Sequence, residues 1–432
     1  MLRFGQRYWV YFFPIVFLVY VLLSAYQIDF RAFYVAARSV LLDLDPYLNP
    51  VTQHPELYAA INAENAVASG FIYPPLAALL LLPFGFFAYP TAKILFGVVV
   101  LVSLIGLCYC LTQDDRKDQD QDQDQDPTAI IPGEAFLFIS CSFPLLATFE
   151  RGQVDLVVVL LTWLSFDAYY CRKNLPLSAF ILGIATCIKI FPAVVLIYYF
   201  SKKQFKLFFA SIASILILFF LPLLCFKTSV YQHFFQFILP KVFGTITSPI
   251  PVDVHRQSVV NNVVNAIEGN GLLASQDFAN GFMNPLLQNN TIGCFITGLI
   301  LIAILLKVTQ KKEISYQIYA IFTTINFFNP RAWVMGLVWY IPLFLHLYPN
   351  AKTTTQKGIL LLPLMMPPFT NLNGFFAYAI AIGFAFIPPF TPTSHPFPSP
   401  QPRWRWQSLC LSRKPPGTGI ATNQSLILNS HF

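Results

Sequence analysis

Long apolar runs separated by short polar stretches make up most of the chain. They fall at Tyr8–Ile28, Ile94–Leu111, Ala135–Phe149, Val154–Tyr170, Leu177–Phe200, Phe205–Phe226, Ile292–Val308, Ile314–Phe328, Trp333–Leu347, Ile359–Phe369 and Phe375–Ile387. Within each run the apolar residues are continuous rather than alternating, which predicts helices and argues against a β-barrel. Tyr8–Ile28 is long enough to cross a hydrocarbon core of about 30 Å. Leu76–Phe87 is shorter and bracketed by prolines, so it is expected to dip into the membrane without spanning it. The fold class expected is all-α, a polytopic transmembrane helical protein with about 10–12 membrane segments.

Composition agrees. Of 432 residues, 56 % are hydrophobic and 11 % charged, against roughly 25 % charged in a soluble domain; mean hydropathy is +0.59. The net charge of +7 does not point to nucleic acid, because its Lys and Arg gather in short loops as membrane orientation requires. Arg3 and Arg7 precede the first run, which predicts a cytoplasmic N-terminus, a multi-pass plasma-membrane location, and Asp29 on the external side. Tyr8–Ile28 is too long for a cleaved signal core and is expected to remain as an anchor. The eight cysteines lie mostly inside apolar runs and show neither zinc nor disulfide spacing. The six histidines are scattered, so no metal is predicted.

Polar islands mark the organisation. Residues 1–390 read as one transmembrane domain with external loops at 29–70 and 227–290, and a Gln-Asp low-complexity insert at 113–127. Ala32–Leu42 and Pro55–Ser69 are expected as short helices near the membrane surface. Residues 391–432 are Pro/Ser-rich and basic and read as a disordered tail. Leu177–Phe200 has Arg172-Lys173 before it and Lys202-Lys203 after it. Basic residues at both ends predict two half-helices that return to the cytoplasm, broken at Lys189-Ile190-Phe191-Pro192.

Asp29 stands where the first run ends, a costly place for a carboxylate unless it has a task or a partner such as Arg31. It opens the stretch Asp29, Phe30, Phe33-Tyr34, Ala36-Ala37-Arg38, Pro46-Tyr47. Tyr73-Pro74-Pro75-Leu76, Gly152-Gln153-Val154, Lys189-Ile-Phe-Pro192 and Gln257-Ser258 follow in order. In this order the residues resemble glycosyltransferase family 87, membrane enzymes of the C superfamily that use a polyprenyl-phosphate sugar as donor, the mycobacterial mannosyltransferases among them. The likeness covers roughly residues 1–390. It implies transfer of a mannose-like hexose or arabinofuranose-like pentose to a lipid or glycan acceptor, with inversion, and with no cofactor beyond the donor itself.

On that reading Asp29 is the general base that deprotonates the acceptor hydroxyl, with Asp43 and Asp45 as alternatives. Asp45-Pro46 looks like a turn. The departing phosphate needs cations, and Arg256, Arg331 and Lys189 can supply them. Gln153, Asp155 and Gln257 fall at binding positions, and Tyr34, Tyr47 and Tyr73 can stack on sugar rings. Two departures stand out: Asp155 replaces the family's usual Asn, and Val334-Met335-Gly336 stands where one or two His commonly follow the Trp matched by Trp333. A transporter or flippase of lipid-linked sugars, or an inactive family member, remains the competing reading.

Overall fold

The computed structural model describes residues 2–24, 27–48, 70–116, 133–242, 290–328, 334–366 and 373–386. The described secondary structure is helical throughout, and the protein is an all-α integral membrane protein. Two described helices are long and apolar enough to cross unaided, Tyr89–Leu111 and Phe205–Leu224. Tyr11–Leu23 and Ile28–Leu41 form a third crossing if the pair, bent by 60°, counts as one span. Outward faces carry side chains such as Val102, Phe209 and Ile217, the inverse of a water-soluble surface. Inside, Ser165, Ser178 and Ser211 are buried among close-packed helices. A Cβ on Gly183 would stand 2.5 Å from the Ser214 hydroxyl oxygen, so this glycine sets how near the helices Leu175–Ile188 and Phe205–Phe220 can come.

Several expected single segments are broken. Ala135–Phe149 divides into Gly133–Ser140 and Phe143–Arg151. Ser142 caps the second helix by accepting from the Leu145 amide, and Pro144 sits in its first turn, a start signal that the apolar average conceals. Ile314–Phe328 divides likewise into Ile314–Phe322 and a 3₁₀ turn, Ile325–Phe328. Tyr89–Arg116 runs on into the stretch expected as a low-complexity insert. Pro75–Gly85, with 11 residues, is about 16 Å long and too short to span, as expected of Leu76–Phe87.

The helix expected over Ala32–Leu42 forms as Ile28–Leu41 and is covered by protein. Ile28–Leu41 lies within the protein, with Phe30, Phe33, Ala36 and Ala37 almost fully covered. Its small residues allow Pro75–Gly85 to pack closely, and Arg38 donates to the Gly85 carbonyl at 3.2 Å. Pro55–Ser69, Arg256, Gln257, Arg331, Trp333 and the tail 391–432 lie outside the described residues.

The stretch 175–201 is a hairpin. Asp155–Tyr170 and Leu175–Ile188 run antiparallel, since Ser165 bonds to Ser178 (2.9 Å) toward one end and Lys189 meets Asp155 (2.7 Å) at the other. Lys189 takes an extended conformation at the helix end, and Pro192 opens the return. Phe191–Ser201 then comes back beside the same helix. Phe166 touches the rings of Tyr198 (6.2 Å) and Tyr199 (5.7 Å), and Gln204 donates to the Tyr170 hydroxyl at 2.8 Å. Both ends of the hairpin therefore sit at the Tyr170 end of the molecule. Cysteines placed singly at Asn174 and Lys206, in a cysteine-depleted background, should give the same response to an impermeant thiol reagent in sealed cells. Labelling of one and protection of the other would show a full crossing instead.

Candidate active site

Several of the described segments converge at the opposite end, around Asp29. The helix Phe143–Arg151 ends in a tight cap: the Gly152 amide donates to Phe149 O (3.3 Å) and the Gln153 amide to Thr148 O (2.9 Å). Gly152 adopts φ +68°, which suits a residue without a Cβ. A Cβ there would also lie 2.7 Å from Phe30 Cβ and 3.1 Å from Gln27 Cβ. The missing side chain thus lets the start of Ile28–Leu41 rest against this cap. The Gln27 amide completes the joint by donating to Glu150 O at 3.0 Å.

That joint brings Arg151 and Gln153, on either side of the glycine, onto Asp29. Arg151 Nε donates to Asp29 Oδ2 at 2.7 Å and Nη2 to Oδ1 at 3.1 Å, a side-on fork. Gln153 Nε2 donates to Oδ2 at 2.7 Å. Gln153 in turn accepts from the Tyr73 hydroxyl at 3.3 Å, and the Tyr73 carbonyl accepts from the Tyr47 hydroxyl at 2.7 Å. Burial pushes the Tyr73 hydroxyl well above the usual phenol range, with Asp29 and Asp155 nearby adding to the effect, so it stays a donor.

Asp155 opens the helix Asp155–Tyr170 and is 1 % exposed. Lys189 reaches both its carboxylate oxygens, at 2.7 and 2.8 Å. Placed for phosphate on sequence grounds, Lys189 thus has its charge matched within the protein. Tyr34 is 3 % exposed, donates to Phe87 O at 2.9 Å and packs edge-on to Tyr89. It offers packing rather than a face for a sugar. The alternative bases hold the neighbouring turn in place: Asp45 accepts from the Tyr47 amide (2.8 Å) and meets His233 (2.6 Å), and Asp43 pairs with Lys227. Sequence reading missed Arg151. The signal was present, a basic residue in the last helical turn directly before the cap glycine.

Beside this polar cluster lies a cavity of about 190 Å³. Phe33, Ala77, Phe84, Val154 and Ile188 line it, together with Tyr73, which also belongs to the cluster. A polar floor and an apolar wall therefore meet at one side chain.

Residues 71–303, more than half of the 432, match the family model described as Glycosyltransferase family 87. The chain belongs to this family. Gln153, Asp155 and Lys189 fall inside the matched stretch, and Asp29 stands ahead of it. The chain is also similar to two mycobacterial proteins, each named a polyprenol-phosphate-mannose-dependent alpha-(1-2)-phosphatidylinositol mannoside mannosyltransferase. With that of Mycobacterium tuberculosis (strain ATCC 25618 / H37Rv) it shares 28 % identity over 152 residues, 33 % of this chain and 34 % of the relative. With that of Mycolicibacterium smegmatis (strain ATCC 700084 / mc(2)155) it shares 27 % over 154 residues, 34 % of each. The aligned stretch thus spans about a third of each relative's length. No solved structure matches the chain.

Two stability predictions come from this geometry. Gly152→Ala should destabilise the protein by more than about 2 kcal/mol, combining left-handed strain with the Phe30 clash. Gly358→Ala, where a Cβ meets nothing within 4 Å, should be neutral or slightly stabilising; thermal unfolding in detergent checks both. Lys189→Met should cost about 3 kcal/mol, because it strands a buried carboxylate. Adding Asp155→Leu should recover much of that loss. An unchanged melting temperature for Lys189→Met would show that the pair contributes nothing to the joint.

Proposed function

We propose that the protein transfers a sugar from a polyprenyl-phosphate donor to a lipid or glycan acceptor at the external face of the plasma membrane, with its N-terminus in the cytoplasm and Asp29 as general base. Family membership supports a glycosyltransferase, and the mycobacterial relatives named for polyprenol-phosphate-mannose favour a hexose over a pentose. The observation that carries the reading is the meeting of polar cluster and apolar cavity at Tyr73. A polyprenyl-phosphate sugar needs both surfaces at once, one for its hydroxyls and phosphate and one for isoprene units.

In the reaction, an Asp29 oxygen takes the proton of an acceptor hydroxyl as that hydroxyl's oxygen bonds to the anomeric carbon. The bond between that carbon and the phosphate oxygen breaks, and polyprenyl phosphate departs with the electron pair. Holding base, acceptor and donor in line supplies much of the rate. Gln153 keeps the carboxylate oriented, and Tyr73, held through Gln153, lies between it and the chain-binding wall.

Incubation of purified protein with radiolabelled polyprenyl-phosphate sugars and membrane acceptors tests the proposal, and a comparison of mannose with arabinofuranose donors tests the sugar. Net movement of intact lipid-linked sugar across vesicles, without its consumption, would favour a transporter instead. Asp29→Asn should lower kcat by about 10²–10⁴-fold. Retention of more than about a tenth of the wild-type rate would remove Asp29 as the base.

A further inference from the structure

Asp29 receives at least three donors in the resting structure, two from Arg151 and one from Gln153. These donors engage lone pairs that an incoming hydroxyl proton would need. The two partners in the fork are also unequally placed. The Arg151 side chain is 26 % exposed and that of Asp29 11 %, so the arginine is the more accessible of the two. Arg151 ends its helix at the capped joint, and the position at a helix C-terminus suits a cation. A side-on guanidinium fork fits two phosphate oxygens as well as it fits two carboxylate oxygens.

We propose that Arg151 binds the donor's phosphate, and that its grip on Asp29 is a resting contact which the phosphate replaces, releasing the carboxylate to serve as base. The proposal rests on the glycosyl-transfer reading above. Three further observations favour it. Gln153 donates to Asp29 at 2.7 Å independently of Arg151, so loss of the arginine would not leave the carboxylate without a donor. Lys189, held by both oxygens of buried Asp155, is less exposed than Arg151, 17 % against 26 %. Gln27, 0 % exposed and lying against Gly152, has no hydrogen-bond partner among the described residues for either its Nε2 or its Oε1. A buried amide left unmatched is costly, and it marks this joint as one whose polar groups are not all satisfied in the resting arrangement.

The exchange couples the two substrates. Without donor, Asp29 is held by the arginine and does not draw protons from water or stray hydroxyls. With donor, one movement both fixes the leaving group and exposes the base. As negative charge grows on the departing phosphate, the guanidinium holds it more strongly, which is where fixed positive charge accelerates most.

Binding of farnesyl phosphate to the full-length protein in detergent tests this, with farnesol as the control lacking phosphate. Arg151→Gln should weaken farnesyl phosphate by about tenfold or more, Arg151→Lys should weaken it less, and neither should change farnesol binding. Asp29→Asn, although inactive, should bind farnesyl phosphate at least about threefold more tightly, because the carboxylate no longer competes for the arginine. The double variant should behave as Arg151→Gln does. Wild-type affinity in both single variants would make Arg151 a staple between helices and overturn the exchange. If Arg151→Gln fails to fold, Asp29→Asn decides alone: tighter binding supports the exchange, unchanged or weaker binding overturns it. A wild type that prefers farnesol, or binds neither, also overturns the proposal. Radiolabelled sugar transfer judges the underlying glycosyl-transfer reading separately.

Discussion

In the resting structure the contact between Asp29 and Arg151 joins residues 122 apart in sequence, and the polar cluster at this end of the molecule is built around it. A carboxylate at the head of one helix and a guanidinium at the tail of another are each favoured by the local helix dipole. Their meeting is possible because Gly152 leaves room for Phe30 and Gln27. Remove that room and the two helices separate; the charges then face a low-dielectric interior without each other. The close approach is therefore a backbone property before it is an electrostatic one.

Around this contact the carboxylates Asp155, Asp45 and Asp43 each have a side-chain partner. Asp155 with Lys189 fastens the top of the hairpin to the helix that follows the cap, and Asp45 with His233 fastens the Tyr47 turn to the segment 228–233. Hydrogen bonds from Tyr47 through Tyr73 and Gln153 connect that turn to Asp29. The exposed Lys227–Asp43 pair adds little to stability at the surface. The Asp155–Lys189 pair is of another kind, because removing the lysine leaves a buried carboxylate without its partner.

Much of this was legible in the sequence. Continuous apolar runs announced an all-α membrane protein, basic residues at both ends of 177–200 announced a hairpin, and Pro192 placed its break. Asp29, Tyr73, Gln153, Asp155 and Lys189 were all marked as site positions, and the fold brings them to one place. Their partners were not legible. Lys189 reads as a cation for phosphate until its contact with Asp155, 34 residues away, is seen. Tyr34 reads as a sugar platform until its ring is found buried and its hydroxyl bonded to the Phe87 carbonyl. Arg151 was not legible because the Gly152-Gln153-Val154 motif begins at the glycine, whereas the cap turns the residues on both sides of it toward one target. The broken segment 135–149 was hidden differently: hydropathy averages over Ser142 and Pro144, while the backbone obeys them individually.

The hairpin carries a further consequence. Because it leaves and returns to the same end of the molecule, it contributes no net crossing to the chain's path. Sidedness downstream is therefore indifferent to its depth: lengthening or trimming both arms together would leave every later loop on its original side. Depth instead sets where Lys189 lies along the membrane normal. An evolving relative could thus raise or lower this corner of the site turn by turn, without the inversion that gain or loss of a single span would impose on the remainder of the protein.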